Sequence, residues 1–128
     1  MALDHGRART GVAVSDPTGT IARPLGVIER VDSPAGRSAL DALIAEERPA
    51  VIVVGEPLHL SGAAGEQAAT AARFAARLRA RLGIPVELMD ERLTSAEAGR
   101  RAGETGSRAS LDSLAACVLL EAYLARRT

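Results

Sequence analysis

Short apolar segments separated by glycine, proline and acidic residues predict five β-strands. Val12 and Val14 alternate with small residues, which is typical of a half-buried strand. The continuous apolar run of residues 50–54 instead predicts a strand that is buried on both faces, and therefore central and parallel. Pro24 places the third strand at the rim of the sheet, because proline cannot donate a ladder hydrogen bond. The five predicted strands cover residues 2–4, 10–15, 20–31, 50–54 and 84–89.

Apolar residues at helical spacing fill most of the intervals between these strands. Ser33 and Pro34 are typical of a helix start, and Arg48-Pro49 ends that helix. The other helices are expected over residues 66–82, from the capping box at Thr94, and over residues 111–125 after a cap at Ser110. The order predicts one α/β domain over residues 1–128: a mixed five-stranded sheet, built of an antiparallel three-strand meander and two parallel strands, flanked by helices.

Composition narrows the possible partners and compartments. Hydrophobic residues make up 47% of the chain and aromatic residues only 2%, which predicts a core of aliphatic side chains. The formal net charge is zero, so a nucleic acid would have to be held by a local patch such as the arginines at 73, 77 and 81. The alternative for these arginines is an ordinary solvated helix face. No segment resembles a leader or a membrane span, so we expect a cytoplasmic protein without membrane contact, with Cys117 as a core residue.

Acidic residues follow the strands that should lie near the centre of the sheet. Asp4 ends the first strand, Asp90 and Glu91 end the fifth, and Asp112 is expected in the first turn of the last helix. Functional groups collect at the carboxyl ends of strands in open α/β sheets. Two of these acids also have a structural explanation, since Asp4 could accept hydrogen bonds from the Gly6 turn and Asp112 could stabilise its helix. Asp90 and Glu91 point to opposite faces, and the pattern alone does not choose between them.

Three carboxylates within a few ångströms would repel one another and raise the pKa of at least one group, unless a cation neutralises them. Hard oxygen ligands favour Mg²⁺ or Mn²⁺. Two such ions roughly 4 Å apart can activate water and stabilise the leaving oxygen of a phosphodiester. The converging acids are therefore consistent with metal-dependent hydrolysis.

Four segments resemble the YqgF/RuvX family of RNase H-like nucleases. They read ALDHGRARTGVAVSD, VVGEPLHLSG, DERLTSAE and LDSLAACVLLEAYL, in this order and nearly from end to end. The resemblance implies an RNase H-like fold, a divalent-metal nuclease site and a role in maturing the 5′ end of pre-16S ribosomal RNA. The older interpretation of this family is a Holliday junction resolvase, because of its similarity to RuvC.

The resemblance also assigns residues of this chain. It implies Asp4, Glu91 and Asp112 as catalytic residues and metal ligands. It implies phosphate contacts for Arg7, Arg9 and Arg92, with Arg108 as the only base in the loop before Asp112. That loop is shorter and less basic than is usual in the family, which predicts weaker nucleic-acid binding.

Two further departures concern the acids. Only Met1-Ala2-Leu3 precede Asp4, so we expect a short and weakly anchored first strand. Glu56 stands where the family usually has an apolar residue, and it is either an extra acid of the site or a loop charge.

The sequence leaves several functions open. The main expectation is a nuclease of structured RNA, and the first alternative is a resolvase of branched DNA, which would require a two-fold dimer. The second alternative is a catalytically silent nucleic-acid-binding module. A nucleotide-binding ATPase module is disfavoured, because 128 residues cannot supply the second domain it needs. The chain is expected to be a monomer or a homodimer.

Overall fold

The computed structural model describes residues 1–56, 63–90 and 108–127. The predicted helix after Thr94 lies outside these residues. The strands are β1 (Ala2–Asp4), β2 (Arg9–Ser15), β3 (Ala22–Glu29), β4 (Ile52–Glu56) and β5 (Val86–Asp90). The helices are α1 (Pro34–Glu47), α2 (Ala63–Leu82) and α3 (Arg108–Arg127).

The strands form one mixed sheet in the order β3-β2-β1-β4-β5. Strand β1 pairs antiparallel with β2 and parallel with β4, and β4 pairs parallel with β5. The predicted meander and parallel strands are thus confirmed. Strand β1 has only three residues, but it is paired on both sides, and Ala2 and Leu3 are fully buried. The expectation of a weakly anchored first strand is therefore wrong, because its central position compensates for its length.

The edge position of β3 is also confirmed. Pro24 lies opposite Ala13 and Gly26 lies opposite Val12, so Leu25 is an extra residue in a bulge. Proline is tolerated there because the edge strand has no neighbour on its other side.

Strand β4 extends further than its sequence pattern predicts. We expected it to stop after Val54, whereas it continues through Gly55 and Glu56. Those two residues pair with Met89 and Asp90 of β5, so the backbone partner holds them in the extended conformation. Glu56 is accordingly a strand residue and not a loop charge.

Helices cover both faces of the sheet, as predicted. Helices α1 and α2 pack on one face, in a core that includes Leu3, Ile52 and Phe74. Helix α3 packs on the other face through residues such as Cys117 and Leu120. No helix in the described parts of the chain is long and apolar enough to cross a membrane.

Both ends of α1 lie where the sequence predicts them. The Ser33 hydroxyl accepts a hydrogen bond from the backbone N–H of Gly36 at 3.0 Å, and Pro34 is the first helical residue. Arg48 ends the helix in the left-handed conformation, with φ of 49°. Helix α1 therefore begins at the same edge of the sheet as the carboxyl end of β1, because it follows β3, which runs parallel to β1.

Candidate active site

Asp4 lies at the carboxyl end of β1, on the face covered by α3. Ala2 belongs to the core under α3 and Leu3 to the core under α1 and α2. Since successive strand residues alternate between faces, the side chain of Asp4 is directed to the α3 side. The carboxylate is only partly buried, so it can reach a solvent-borne substrate.

The close approach of α3 to Gly11 places Asp112 near the carboxyl end of β1. Gly11 is the register partner of Asp4 on β2. A Cβ atom added to Gly11 would lie 1.9 Å from the carbonyl oxygen of Asp112 and 3.1 Å from the backbone nitrogen of Ser113. Only glycine permits this approach of helix to strand. The second turn of α3 therefore rests on β2 directly beside Asp4.

Asp112 lies further inside its helix than its sequence suggests. The predicted cap at Ser110 is wrong, because α3 begins at Arg108. Asp112 is thus the fifth helical residue, and the first turn contains no acid. The helix dipole acts mainly within the first turn, so helix stabilisation is a weak explanation for this carboxylate.

Arg9 supplies a positive charge to Asp112. Its Nε atom lies 3.0 Å from Oδ2 of Asp112, and both side chains are partly buried. That oxygen is shielded from solvent, yet it accepts no well-aligned hydrogen bond. We regard the contact as a charge pairing with poor hydrogen-bond geometry, which leaves the carboxylate with unused acceptor capacity. The resemblance implied a phosphate contact for Arg9, whereas the structure places its guanidinium against a carboxylate.

Ser113 is a buried polar residue that sequence reasoning missed. It is 5% exposed, and its hydroxyl has no hydrogen-bond partner among the residues that the structure describes. The signal was present in the sequence, because this serine interrupts the apolar face that α3 presents to the sheet. Thr10 on β2 is likewise fully buried, and its hydroxyl has no hydrogen-bond partner in the described part of the chain.

Asp90 and Glu56 belong to the other face of the sheet edge. They are register partners on β5 and β4. Met89 packs in the core under α3, so by alternation Asp90 is directed to the α1 and α2 side. Asp90 is thereby removed from the site around Asp4, an alternative that the sequence had left open.

The remaining predicted residues are only partly placed. Glu91 and Arg92 lie outside the described residues. Arg7 is exposed in the turn between β1 and β2, and Arg108 is the first residue of α3. Within the described ranges, no group of three or more histidine, cysteine, aspartate or glutamate side chains could hold a metal ion. The residues that the structure places around Gly11 are Asp4, its register partner, and Asp112, whose backbone lies against it and whose carboxylate pairs with Arg9.

His5 anchors the turn that follows Asp4. Its side chain is 4% exposed and stacks on Phe74 of α2 with ring centroids 4.3 Å apart. Its Nε2 atom lies 3.7 Å from Oδ2 of Asp32. Burial lowers the pKa of His5, and the charge of Asp32 partly opposes that shift. The backbone next to Asp4 is thus fixed from the opposite face of the sheet.

Comparisons with known proteins agree with this arrangement. The sequence model of the RuvX family, described as Holliday junction resolvase, matches residues 1–126. A protein of Hahella chejuensis is 39% identical over 129 residues, covering 97% of this chain and 82% of the relative. A protein of Azotobacter vinelandii is 40% identical over 134 residues, covering 99% and 93%. Both relatives bear the provisional name pre-16S rRNA nuclease.

A solved structure shares the fold. The chain is similar to Thermus thermophilus RuvC, which was solved in complex with a Holliday junction substrate. The TM-score is 0.60 at 22% sequence identity, and the match covers 98% of this chain and 93% of the other. The RNase H-like fold expected from the sequence is thereby confirmed.

Proposed function

Because the chain belongs to the RuvX family, we propose that it is a divalent-metal-dependent nuclease of structured RNA that processes the 5′ end of pre-16S ribosomal RNA. One observation supports this proposal beyond family membership: Gly11 is the register partner of Asp4, and the backbone of Asp112 in the last helix lies against the same glycine. Asp112 pairs with Arg9, but it lies too far inside α3 for the helix dipole to explain its presence. Relatives named as pre-16S rRNA nucleases support the choice of substrate.

The oxygen atoms at this edge fit a hard divalent cation. Oδ2 of Asp112 is buried beside the guanidinium of Arg9 but accepts no aligned hydrogen bond from the described residues, so it keeps acceptor capacity for a metal. Asp4 and Asp112 would hold Mg²⁺ or Mn²⁺ together with Glu91, which we assign from the sequence motif alone. The bound metal would neutralise developing charge on a phosphodiester and lower the pKa of its attacking water.

The chain's own side chains supply the remaining requirements. Gly11 fixes the separation between β2 and α3, and so holds the two carboxylates in position. Arg9 balances the charge of Asp112 and, being 37% exposed, can turn its guanidinium to an incoming phosphate. Arg7, Arg92 and Arg108 would add positive charge around the same edge.

The test compares an active-site change with a matched surface change. Asp4→Asn keeps the side-chain size and removes its charge, and we expect it to lower Mn²⁺-supported cleavage of a labelled pre-16S RNA at least a hundredfold. Asp16→Asn is the control, because Asp16 accepts its hydrogen bonds within its own turn at the far end of the sheet from Asp4. Circular dichroism checks that both variants fold. Equal cleavage by parent and Asp4→Asn would refute the proposed mechanism.

Branched DNA is the second candidate substrate. It is favoured by the description of the family and by the fold shared with RuvC. A labelled four-way junction in the same assay decides between the two, since the preferred substrate is cut faster at equal concentration. Binding of RNA that is equal with chelator and with Mn²⁺, without cleavage of either substrate, would instead identify a silent binding module.

A further inference from the structure

A cavity of about 370 Å³ lies on the face of the sheet opposite α3, between α1 and α2. Phe74 and Leu78 of α2 contribute its apolar lining, and both are buried. Charged side chains form the rest of the wall, namely Asp32, Arg37, Arg77 and Arg81. The cavity is therefore an arginine-lined pocket on a hydrophobic base.

The charges around this pocket do not balance. Arg77 pairs with Asp32 at 2.8 Å, and Arg81 pairs with Asp41 of α1. Arg37 has no ion pair or side-chain hydrogen bond within the described parts of the chain. The pocket thus has one guanidinium in excess of its carboxylates.

The helix dipole of α1 adds to the positive potential around Arg37. Arg37 is the fourth residue of α1, and the first turn of α1 contains no acid. A cation near a helix N-terminus is unfavourable, because the dipole is positive there, whereas an anion is stabilised. The helix dipole and the spare guanidinium therefore both favour a bound anion at this place.

The pocket adjoins the catalytic edge of the sheet. Asp32 follows β3, whose last residue, Glu29, pairs with Arg9 of β2. Asp32 also faces His5, the residue after Asp4. A strand of nucleic acid that leaves the site around Asp4 can therefore cross this edge to reach the groove between α1 and α2.

We propose that the pocket binds a backbone phosphate of the nucleic-acid substrate, in the segment that flanks the cleaved bond. Arg37 provides the free contact, while Arg77 and Arg81 keep the local potential positive. This inference rests on the proposed nuclease function and adds a second contact surface to it. The loop before Asp112 has fewer basic residues than is usual in the family, and the pocket would supply phosphate contacts in its place, on the other face of the sheet.

The decisive variant is Arg37→Glu. A glutamate in the first turn favours the helix dipole, so the melting temperature should stay equal or rise. Binding to a labelled RNA of the precursor sequence, measured with chelator over a salt series, should weaken roughly fivefold at 0.15 M salt, with a log–log salt slope smaller by about one. Arg126→Glu, near the end of α3, is the matched control and should leave the slope unchanged.

The outcomes separate this inference from the proposed function. Weaker binding with intact or higher stability in Arg37→Glu, and not in Arg126→Glu, supports the phosphate site. Unchanged binding in Arg37→Glu, with a parent that binds and cleaves RNA, overturns the phosphate site alone. A parent that binds neither RNA nor branched DNA overturns both.

Discussion

The two ends of the sheet use the same residue types in different ways. At the end that carries the turn from β2 to β3, Asp16 accepts hydrogen bonds from the Thr18 hydroxyl at 2.6 Å and from the backbone of Thr20 at 2.9 Å. Every partner lies within the same turn. At the catalytic end, Asp112 meets Arg9 from a distant part of the chain, and its buried oxygen lacks a hydrogen bond.

This difference separates structural from functional polar groups. A carboxylate that is satisfied by its own turn needs no further explanation. Buried polar atoms are usually hydrogen-bonded, so a buried carboxylate oxygen that accepts no aligned hydrogen bond, at a place where separate elements meet, suggests a ligand. Each end also offers a glycine, an arginine and an aspartate, and these pairs make the comparison testable.

The largest effect is expected from the two glycines. Gly11→Ala forces a Cβ into the backbone of α3, so we expect a loss of at least about 3 kcal/mol in the free energy of unfolding, at the upper end for overpacking. Cleavage by the remaining folded protein should be abolished, since Asp112 must move. Gly19→Ala meets no atom within 4 Å and carries only the strain of φ at +70°, about 1 kcal/mol.

Urea denaturation and the RNA cleavage assay check this pair. If Gly11→Ala retained the stability and activity of the parent, α3 would not need to rest on β2. The position that we assign to Asp112 would then be wrong. Normal activity is the expected result for Gly19→Ala.

The two arginine ion pairs should differ in activity and not in stability. Arg9→Gln removes the charge that balances Asp112, and we expect kcat/KM to fall about tenfold, equivalent to about 1.4 kcal/mol. Arg23→Gln breaks the pair with Glu47 at the other end of the sheet. Exposed or partly exposed pairs contribute about 0–1 kcal/mol, so both proteins should unfold near the parent's midpoint. Equal kcat/KM in the two variants would assign Arg9 a purely structural role.

Much of the fold could be predicted because its signals are local. Pro24 identifies an edge strand by its missing donor, and Ser33-Pro34 identifies a helix start by its own hydrogen bond. Phe74 and Leu78 are four residues apart, which places them on one face of a helix, and both are buried in α2. Each of these features depends on neighbours within one turn or one strand.

Most of the features that the sequence did not predict depend on contacts between distant parts of the chain. Gly55 and Glu56 remain in β4 because β5 pairs with them, and the residues next to them in the sequence do not predict that pairing. Gly11 could be read as a position of close backbone approach, but the sequence does not say that α3 is the neighbour. The same holds for Arg9 and Asp112, whose contact joins β2 to the last helix.

The arginines of α2 show a related limit. Their spacing left open a solvated face or a phosphate track. In the structure, Arg81 pairs with Asp41 and so joins α2 to α1. Arg77 pairs with Asp32, which directly precedes the cap of α1. The spare charge belongs to Arg37 on the neighbouring helix, which no pattern on α2 could reveal.

The smallest effect is expected from Asp16→Asn, and it depends on pH. The Thr18 hydroxyl and the backbone N–H groups of the turn hold the pKa of Asp16 below its usual 3.8. The folded state therefore binds its proton less readily than the unfolded state, and the charge of Asp16 stabilises the fold above pH 3.8. This contribution is lost as the pH falls through the lowered pKa. The melting temperature of Asp16→Asn should accordingly lie below that of the parent at pH 7, and the gap should narrow in acid.

Cleavage at pH 7 completes the comparison of the two ends. Asp16→Asn should cut RNA at the rate of the parent, because the turn lies at the far end of the sheet from Asp4. A gap in melting temperature that does not change between pH 7 and pH 3 would mean that the charge of Asp16 is unimportant. Slower cleavage by Asp16→Asn would mean that its turn takes part in substrate binding, and the distinction between a satisfied acid and a functional one would fail.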